Sequence, residues 1–130
     1  MRQIESIAAY TPYMTCPGNH EVHHNISYKE YRSRFVMPVK PHNSGELYYS
    51  FNYGIIHFVS LNVEVYYKDG GDINNVTSMF YWFKRDLESV DRKVTPWILV
   101  FGHRHSAIVI FLTKNKSKIK MRSFFKTYLF

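Results

Sequence analysis

The amino-acid sequence predicts an α/β layered fold, and three stretches carry that expectation. Residues 47–67 are rich in aromatic and β-branched side chains and break at Asn52-Tyr53-Gly54, the pattern of a hairpin built into a sheet. Val76, Met79, Phe80, Phe83, Leu87 and Val90 recur at helical spacing, which predicts an amphipathic helix of about four turns. Residues 97–101 are apolar throughout and run into Gly102-His103, as a buried strand ending in a loop does. Strands, a helix and a further strand imply sheets layered against helices.

The remaining elements follow in chain order. Residues 2–10 read as the end of a helix with Ile4, Ile7 and Ala8 on one face, stopped by Pro12. Residues 13–16 read as a short buried strand, and Pro17-Gly18 turns the chain into a polar loop. Residues 27–36 are aromatic and basic and suit a short helix that closes at Met37-Pro38. Pro41, Asn43, Ser44 and Gly45 break the next stretch, and residues 68–75 form a polar loop with Gly70 and Gly71. No internal repeat appears, and no boundary divides the chain before its C-terminal tail.

Composition narrows the classes. A chain of 130 residues with 45% hydrophobic and 18% aromatic residues can build one domain with a real core. Its apolar runs, such as residues 107–112, are too short to span a bilayer, and the first residues, Met1-Arg2-Gln3-Ile4-Glu5, lack the apolar segment of a signal peptide. The net charge of +7 suggests nucleic acid until it is located. Lys114, Lys116, Lys118, Lys120, Arg122 and Lys126 supply it, no acid follows Asp91, and before the tail eleven basic residues face ten acidic ones. The tail reads first as a solvated terminus and only second as an anion binder. A single cysteine excludes an internal disulfide, and Cys16 reads as a small buried apolar residue at a strand end. Three sequons, at Asn25, Asn75 and Asn115, are candidate glycosylation sites and lean towards the secretory route.

Two polar loops follow short apolar stretches: Cys16-Pro17-Gly18-Asn19-His20-Glu21 and Phe101-Gly102-His103-Arg104-His105. Loops at the carboxyl ends of strands are where α/β sheets place their sites. Glycine lets the backbone approach a ligand closely, and an imidazole nitrogen or an amide oxygen can hold a metal ion. The bland reading makes each histidine an ordinary loop residue. The pairing of the two loops favours convergence on one ion.

Those residues carry a resemblance. Residues 1–104, about four-fifths of the chain, resemble a purple acid phosphatase of the calcineurin-like metallophosphoesterase superfamily. The matching blocks are the helix end Arg2-Gln3-Ile4-Glu5-Ser6-Ile7-Ala8-Ala9-Tyr10, then Pro12-Tyr13-Met14-Thr15-Cys16-Pro17-Gly18-Asn19-His20-Glu21, Tyr31-Arg32-Ser33-Arg34-Phe35-Val36-Met37-Pro38, Tyr48-Tyr49-Ser50-Phe51-Asn52-Tyr53-Gly54, Ile56-His57-Phe58-Val59-Ser60-Leu61 and Pro96-Trp97-Ile98-Leu99-Val100-Phe101-Gly102-His103-Arg104. The resemblance implies a metallophosphoesterase α/β sandwich, in which residues 1–105 are part of the catalytic domain and residues 106–130 a basic tail unlike the family. It implies a binuclear centre, Fe(III) paired with Fe, Zn or Mn, acting on small phosphomonoester substrates at acidic pH. Asn19 and His103 would ligate the divalent ion, His20 would hydrogen-bond the substrate phosphate, and Glu21 would shape the loop. A secreted or lysosomal location is implied in the same way.

The departures from the pattern shape the expectation. The family's Asp-x-Gly and Gly-Asp-x-x-Tyr motifs do not precede Gly18-Asn19-His20-Glu21, and Gly71-Asp72 falls after it and lacks the tyrosine. Gly102-His103-Arg104-His105 spells the family's closing motif, but its Pro-Trp-Ile context marks the earlier single-histidine block. His105 therefore stands as a secondary ligand candidate. The resulting expectation is a fragment of a metal-dependent acid phosphatase, truncated and inactive alone, because two ligands are too few for a stable binuclear site. The runner-up is a catalytically dead, secreted binding protein on the same scaffold. A basic nucleic-acid module rests on the tail alone and lacks a stacking platform or recognition helix.

Overall fold

Gly54 turns the chain back on itself. Its φ of +56° is one that L side chains rarely adopt, and the two-residue turn Gly54-Ile55 joins β1 (Tyr49–Tyr53) to β2 (Ile56–Ser60), one residue beyond the expected break. The computed structural model describes residues 2–22, 28–38, 47–67, 73–104 and 109–112. An added Cβ at Gly54 meets nothing within 4 Å, so the cost of a side chain there is purely conformational. Gly54→Ala is expected to lower stability by about 1 kcal/mol, read as a shift in the urea midpoint with unchanged slope.

Among the described residues four strands form one sheet in the order β1-β2-β3-β4. β1 and β2 pair antiparallel with Phe51 opposite Phe58. β3 (Trp97–Phe101) lies parallel to β2 with Val59 opposite Val100, and the parallel pairing demands a crossover, which carries α3 (Ile73–Ser89). β4 (Val109–Leu112) closes the other edge antiparallel to β3. The turn into β3 is fixed by Asp91, whose carbonyl accepts from the Thr95 amide at 2.8 Å and whose carboxylate accepts from the Lys93 amide at 2.9 Å.

The period of two divides the sheet into unlike faces. Ser50, His57, Val59, Ile98 and Val100 are buried on one face, and Val59, Ile98 and Val100 share a single apolar cluster with Met79, Trp82, Phe83 and Leu87 of α3. Met79, Phe83 and Leu87 belong to the stripe the spacing predicts, Trp82 joins them unpredicted, and Val76, Phe80 and Val90 are only partly buried; α3 begins earlier than expected and makes close to five turns. Each buried side chain of that size contributes about 1.5–3 kcal/mol. The other face is aromatic: Phe51 stacks on Phe58 at 5.1 Å, and Tyr49 packs on Phe51 and Phe101.

A buried polar network ties α3 to the hairpin. His57 Nε2 lies 2.8 Å from Asp86 Oδ2, His57 Nδ1 lies 2.5 Å from Asn52 Oδ1, and Ser50 donates to Asp86 Oδ1 at 2.5 Å. The residue types are those of a hydrolytic triad, but the serine donates to the aspartate, whereas a triad nucleophile donates to its histidine. The network is structural.

Two expectations change. Residues 2–10 form a short 3₁₀ turn (Arg2–Ile4) and α1 (Glu5–Ala8), but α1 buries none of its residues and Ile7 is 56% exposed. Residues 13–16 join no strand among the described residues, because side-chain hydrogen bonds rather than a ladder hold them, as set out below. The short helix is present as α2 (Lys29–Arg34). The expected loop around Pro41, Asn43, Ser44 and Gly45 lies outside the described residues. No helix among the described residues is long and apolar enough to cross a membrane.

Candidate metal and phosphate site

Thr15 is the anchor of the first loop. Tyr49 of β1 donates to its carbonyl at 2.6 Å, and Tyr31 of α2 shares the same carbonyl at 3.0 Å while lying 2.9 Å from Thr15 Oγ1. Both tyrosines are buried, so each hydroxyl needs an internal partner, and the same backbone oxygen serves both. Burial raises the Tyr49 phenol far above its ordinary value, which keeps it a donor. Pro17 follows, fully buried, and delivers Gly18 to the carboxyl end of the sheet.

The loop then closes on itself. The Glu21 amide donates to the Gly18 carbonyl at 3.2 Å, and the Glu21 carboxylate accepts from the Gly18 amide at 2.8 Å. These reciprocal bonds lock a tight turn whose tip is Asn19-His20, both exposed. The second loop leaves β3 at Phe101, whose carbonyl still accepts from Leu61 at 2.9 Å, so His103 emerges just past the parallel β2–β3 pair.

The two loops meet. His103 Nε2 lies 2.9 Å from Asn19 Oδ1, across a separation of 84 residues. Gly18 makes the approach feasible: a Cβ there would stand 2.9 Å from His103 Cγ and Nδ1 and 3.0 Å from Glu21 Oε2. His20 is exposed at the turn and hydrogen-bonds no other described residue. His105, Asn25 and Asn115 lie outside the described residues, whereas Asn75 is exposed in the first turn of α3.

The fit to an ion can be tested on this pair. Donors about 2.0–2.2 Å from one ion, at right angles to each other, are about 3 Å apart, which is the separation of Asn19 Oδ1 and His103 Nε2. One nitrogen and one neutral oxygen donor suit a borderline or hard divalent ion. Among the described residues no group of three or more His, Cys, Asp or Glu could hold a metal. The pair thus fits part of one ion's shell.

Behind His103 stands an ion pair that sequence reasoning missed. Arg104 grips Glu64 through Nε at 2.9 Å and Nη2 at 2.7 Å and lies 3.7 Å from the Tyr67 ring centroid. Glu64, in the 3₁₀ turn Val63–Tyr66, is only 2% exposed. A lone acid between Val63 and Val65 was the signal, since a buried carboxylate demands a cation.

Cys16 sits beside this loop with its thiol raised above the ordinary value, first by burial and then by the Glu21 carboxylate. At pH 8 alkylation by iodoacetamide is expected to be slower in the folded chain than in urea, where the thiol returns to its ordinary value; equal rates would contradict that environment.

The calcineurin-like phosphoesterase family model matches residues 1–123. Acid phosphatase type 7 of Danio rerio is 44% identical over 110 residues, covering 80% of this chain and 24% of the relative. Acid phosphatase type 7 of Homo sapiens is 40% identical over 126 residues, covering 92% of this chain and 28% of the relative. Purple acid phosphatase 23 of Arabidopsis thaliana is 39% identical over 106 residues, covering 78% and 22%. The chain spans about a quarter of the length of these curated relatives.

Proposed function

Because the chain belongs to the calcineurin-like phosphoesterase family, we propose that it carries one part of the metal and phosphate site of an acid phosphatase acting on small phosphate monoesters. The observation that supports this reading is the meeting of Asn19 and His103 at 2.9 Å on a turn locked by Glu21. Asn19 Oδ1 and His103 Nε2 would hold the divalent member of a binuclear centre, Fe(III) with Fe, Zn or Mn. Bound metals polarise the phosphoryl group and acidify a bound water. His20, exposed at the turn tip, would donate a hydrogen bond to the phosphate and stabilise the charge that develops there. Arg104 and Glu64 hold the backbone that presents His103.

The two donors placed among the described residues are too few for a tight binuclear site, and on that count the chain by itself binds metal weakly and does not turn over. Its place on the secretory route follows the resemblance, and Asn75 is the sequon placed on an exposed helix turn. The test is a titration of the purified chain with Zn²⁺ and Mn²⁺ by calorimetry, with elemental analysis and p-nitrophenyl phosphate turnover alongside. One weak ion, lost in both Asn19→Ala and His103→Ala, with turnover at background, is expected. Binding indifferent to both substitutions would sink the site. Two tight metals with turnover abolished by His103→Ala would overturn the inactivity of the chain alone. Partner capture that survives chelation would favour the binding-protein reading instead.

A further inference from the structure

Asn19 and His103 stand on loops that share no strand, so a third element must fix their separation. The bonds between Gly18 and Glu21 set the shape of the first turn but not its place against the sheet. Among the described residues, residues 13–16 join no strand, and the side-chain hydrogen bonds that tie them to the rest of the fold all converge on Thr15.

One residue reaches the stems of both loops. Tyr49 is fully buried and donates to the Thr15 carbonyl at 2.6 Å, four residues before Asn19. In the sheet Tyr49 stands opposite Ser60, and Ser60 stands opposite Phe101, so the three form one row across β1, β2 and β3. The Tyr49 ring meets the Phe101 ring edge-on, with centroids 6.4 Å apart, a favourable aromatic geometry. Phe101 is two residues before His103. The hydroxyl therefore holds the stem of one loop while the ring packs on the stem of the other. Little slack separates Thr15 from Asn19: Pro17 is buried with its φ fixed by the ring, and the Gly18 amide is bound to Glu21. Tyr31 supports the same carbonyl at 3.0 Å, but Thr15 Oγ1 lies 2.9 Å away as a second acceptor for its single proton, and α2 presents neither loop.

We infer that Tyr49 is a positioning residue for the metal pair: its hydroxyl sets where Asn19 stands relative to the strand that presents His103. The inference rests on the Asn19–His103 site proposed above. Tyr49 itself ligates nothing and acts only through the two loops.

The test is Tyr49→Phe in the full chain, which keeps the ring on Phe101 and removes only the hydroxyl. Its Zn²⁺ affinity by calorimetry is expected to fall about tenfold, the lower end for lost ligand support. Gly54→Ala, a comparably destabilised control at the far turn, should bind zinc as the wild type does. Tyr31→Phe should lose less affinity than Tyr49→Phe. The metal-free chain supplies a second reading. The Asn19 side-chain amide resonances, set by the His103 ring 2.9 Å away, are expected to move in Tyr49→Phe and to stay in place in Gly54→Ala. Wild-type affinity in Tyr49→Phe, with binding still lost in Asn19→Ala and His103→Ala, overturns the inference and leaves the site standing. An equal loss in Gly54→Ala, or a loss without movement of the Asn19 resonances, overturns it as well, because the effect would then be one of general stability. Binding indifferent to Asn19→Ala and His103→Ala removes the site and this inference with it.

Discussion

Arg104→Ala is expected to cost about 3 kcal/mol of folding stability, more than any contact it makes would suggest from its position near the surface. The reason lies with its partner. Glu64 is 2% exposed, and Arg104 meets both carboxylate oxygens in a fork, at 2.9, 3.2 and 2.7 Å. Truncation leaves that carboxylate buried without any of the hydrogen bonds the described residues make to it, and an uncompensated buried charge is the dominant penalty. Arg104→Lys keeps the charge but loses the fork and the stacking on Tyr67, so it should fall between wild type and alanine. Glu64→Gln combined with Arg104→Met removes charge from both sides and should recover much of the loss. Trp82, buried in the core, reports unfolding by fluorescence in urea. A double variant no more stable than Arg104→Ala would show that lost packing, not the stranded charge, sets the cost.

The legible parts of the fold were those whose information is local. β3 coincides with the predicted 97–101 because five apolar residues stand between Pro96 and Gly102, and nothing nearby competes for them. α3 was legible through its stripe, while its start at Ile73 was not, because Asn74 and Asn75 read as turn formers until the packing of Met79 and Trp82 draws the helix back. Residues 13–16 have the composition of a strand, yet hydroxyls 16 and 34 residues away take up the Thr15 carbonyl. No pattern within the segment could have shown that.

The site divides along the same line. Gly18-Asn19-His20-Glu21 is compact enough to be read as a unit, and its turn closes within four residues. The partner at position 103 was suggested by its own glycine and its place after a strand, and the structure sets it against Asn19. The groups that steady the loops were invisible for a physical reason. Tyr31, Tyr49 and Glu64 are polar groups whose meaning depends on burial, and burial is a property of the assembled core. Asn62 is the sharpest example: as a sequence letter it is a turn residue, while in the fold it is a buried cap of the 3₁₀ turn whose Nδ2 meets no partner among the described residues.

Gly18→Ala separates the proposed chemistry from the fold. The added Cβ would lie 2.9 Å from two atoms of the His103 ring and 3.0 Å from the Glu21 carboxylate, closer than side chains tolerate. Something must yield, and the question is which neighbour. The His103 ring is exposed and attached through rotatable bonds, so it can swing into solvent at little cost. The loss of stability should therefore be modest, about 1 kcal/mol, at the low end for overpacking. The loss at the site should not be modest. Once the ring leaves, its Nε2 no longer stands 2.9 Å from Asn19 Oδ1, and the two donors cease to address one ion. Metal affinity is then expected to fall about 10–100-fold, the range for disrupted ligand support. Gly54→Ala, at the far turn of the hairpin, is the control: a similar stability loss with unchanged metal affinity. If Gly18→Ala bound zinc as tightly as wild type, the Asn19–His103 pair would be a loop hydrogen bond and no part of a metal shell.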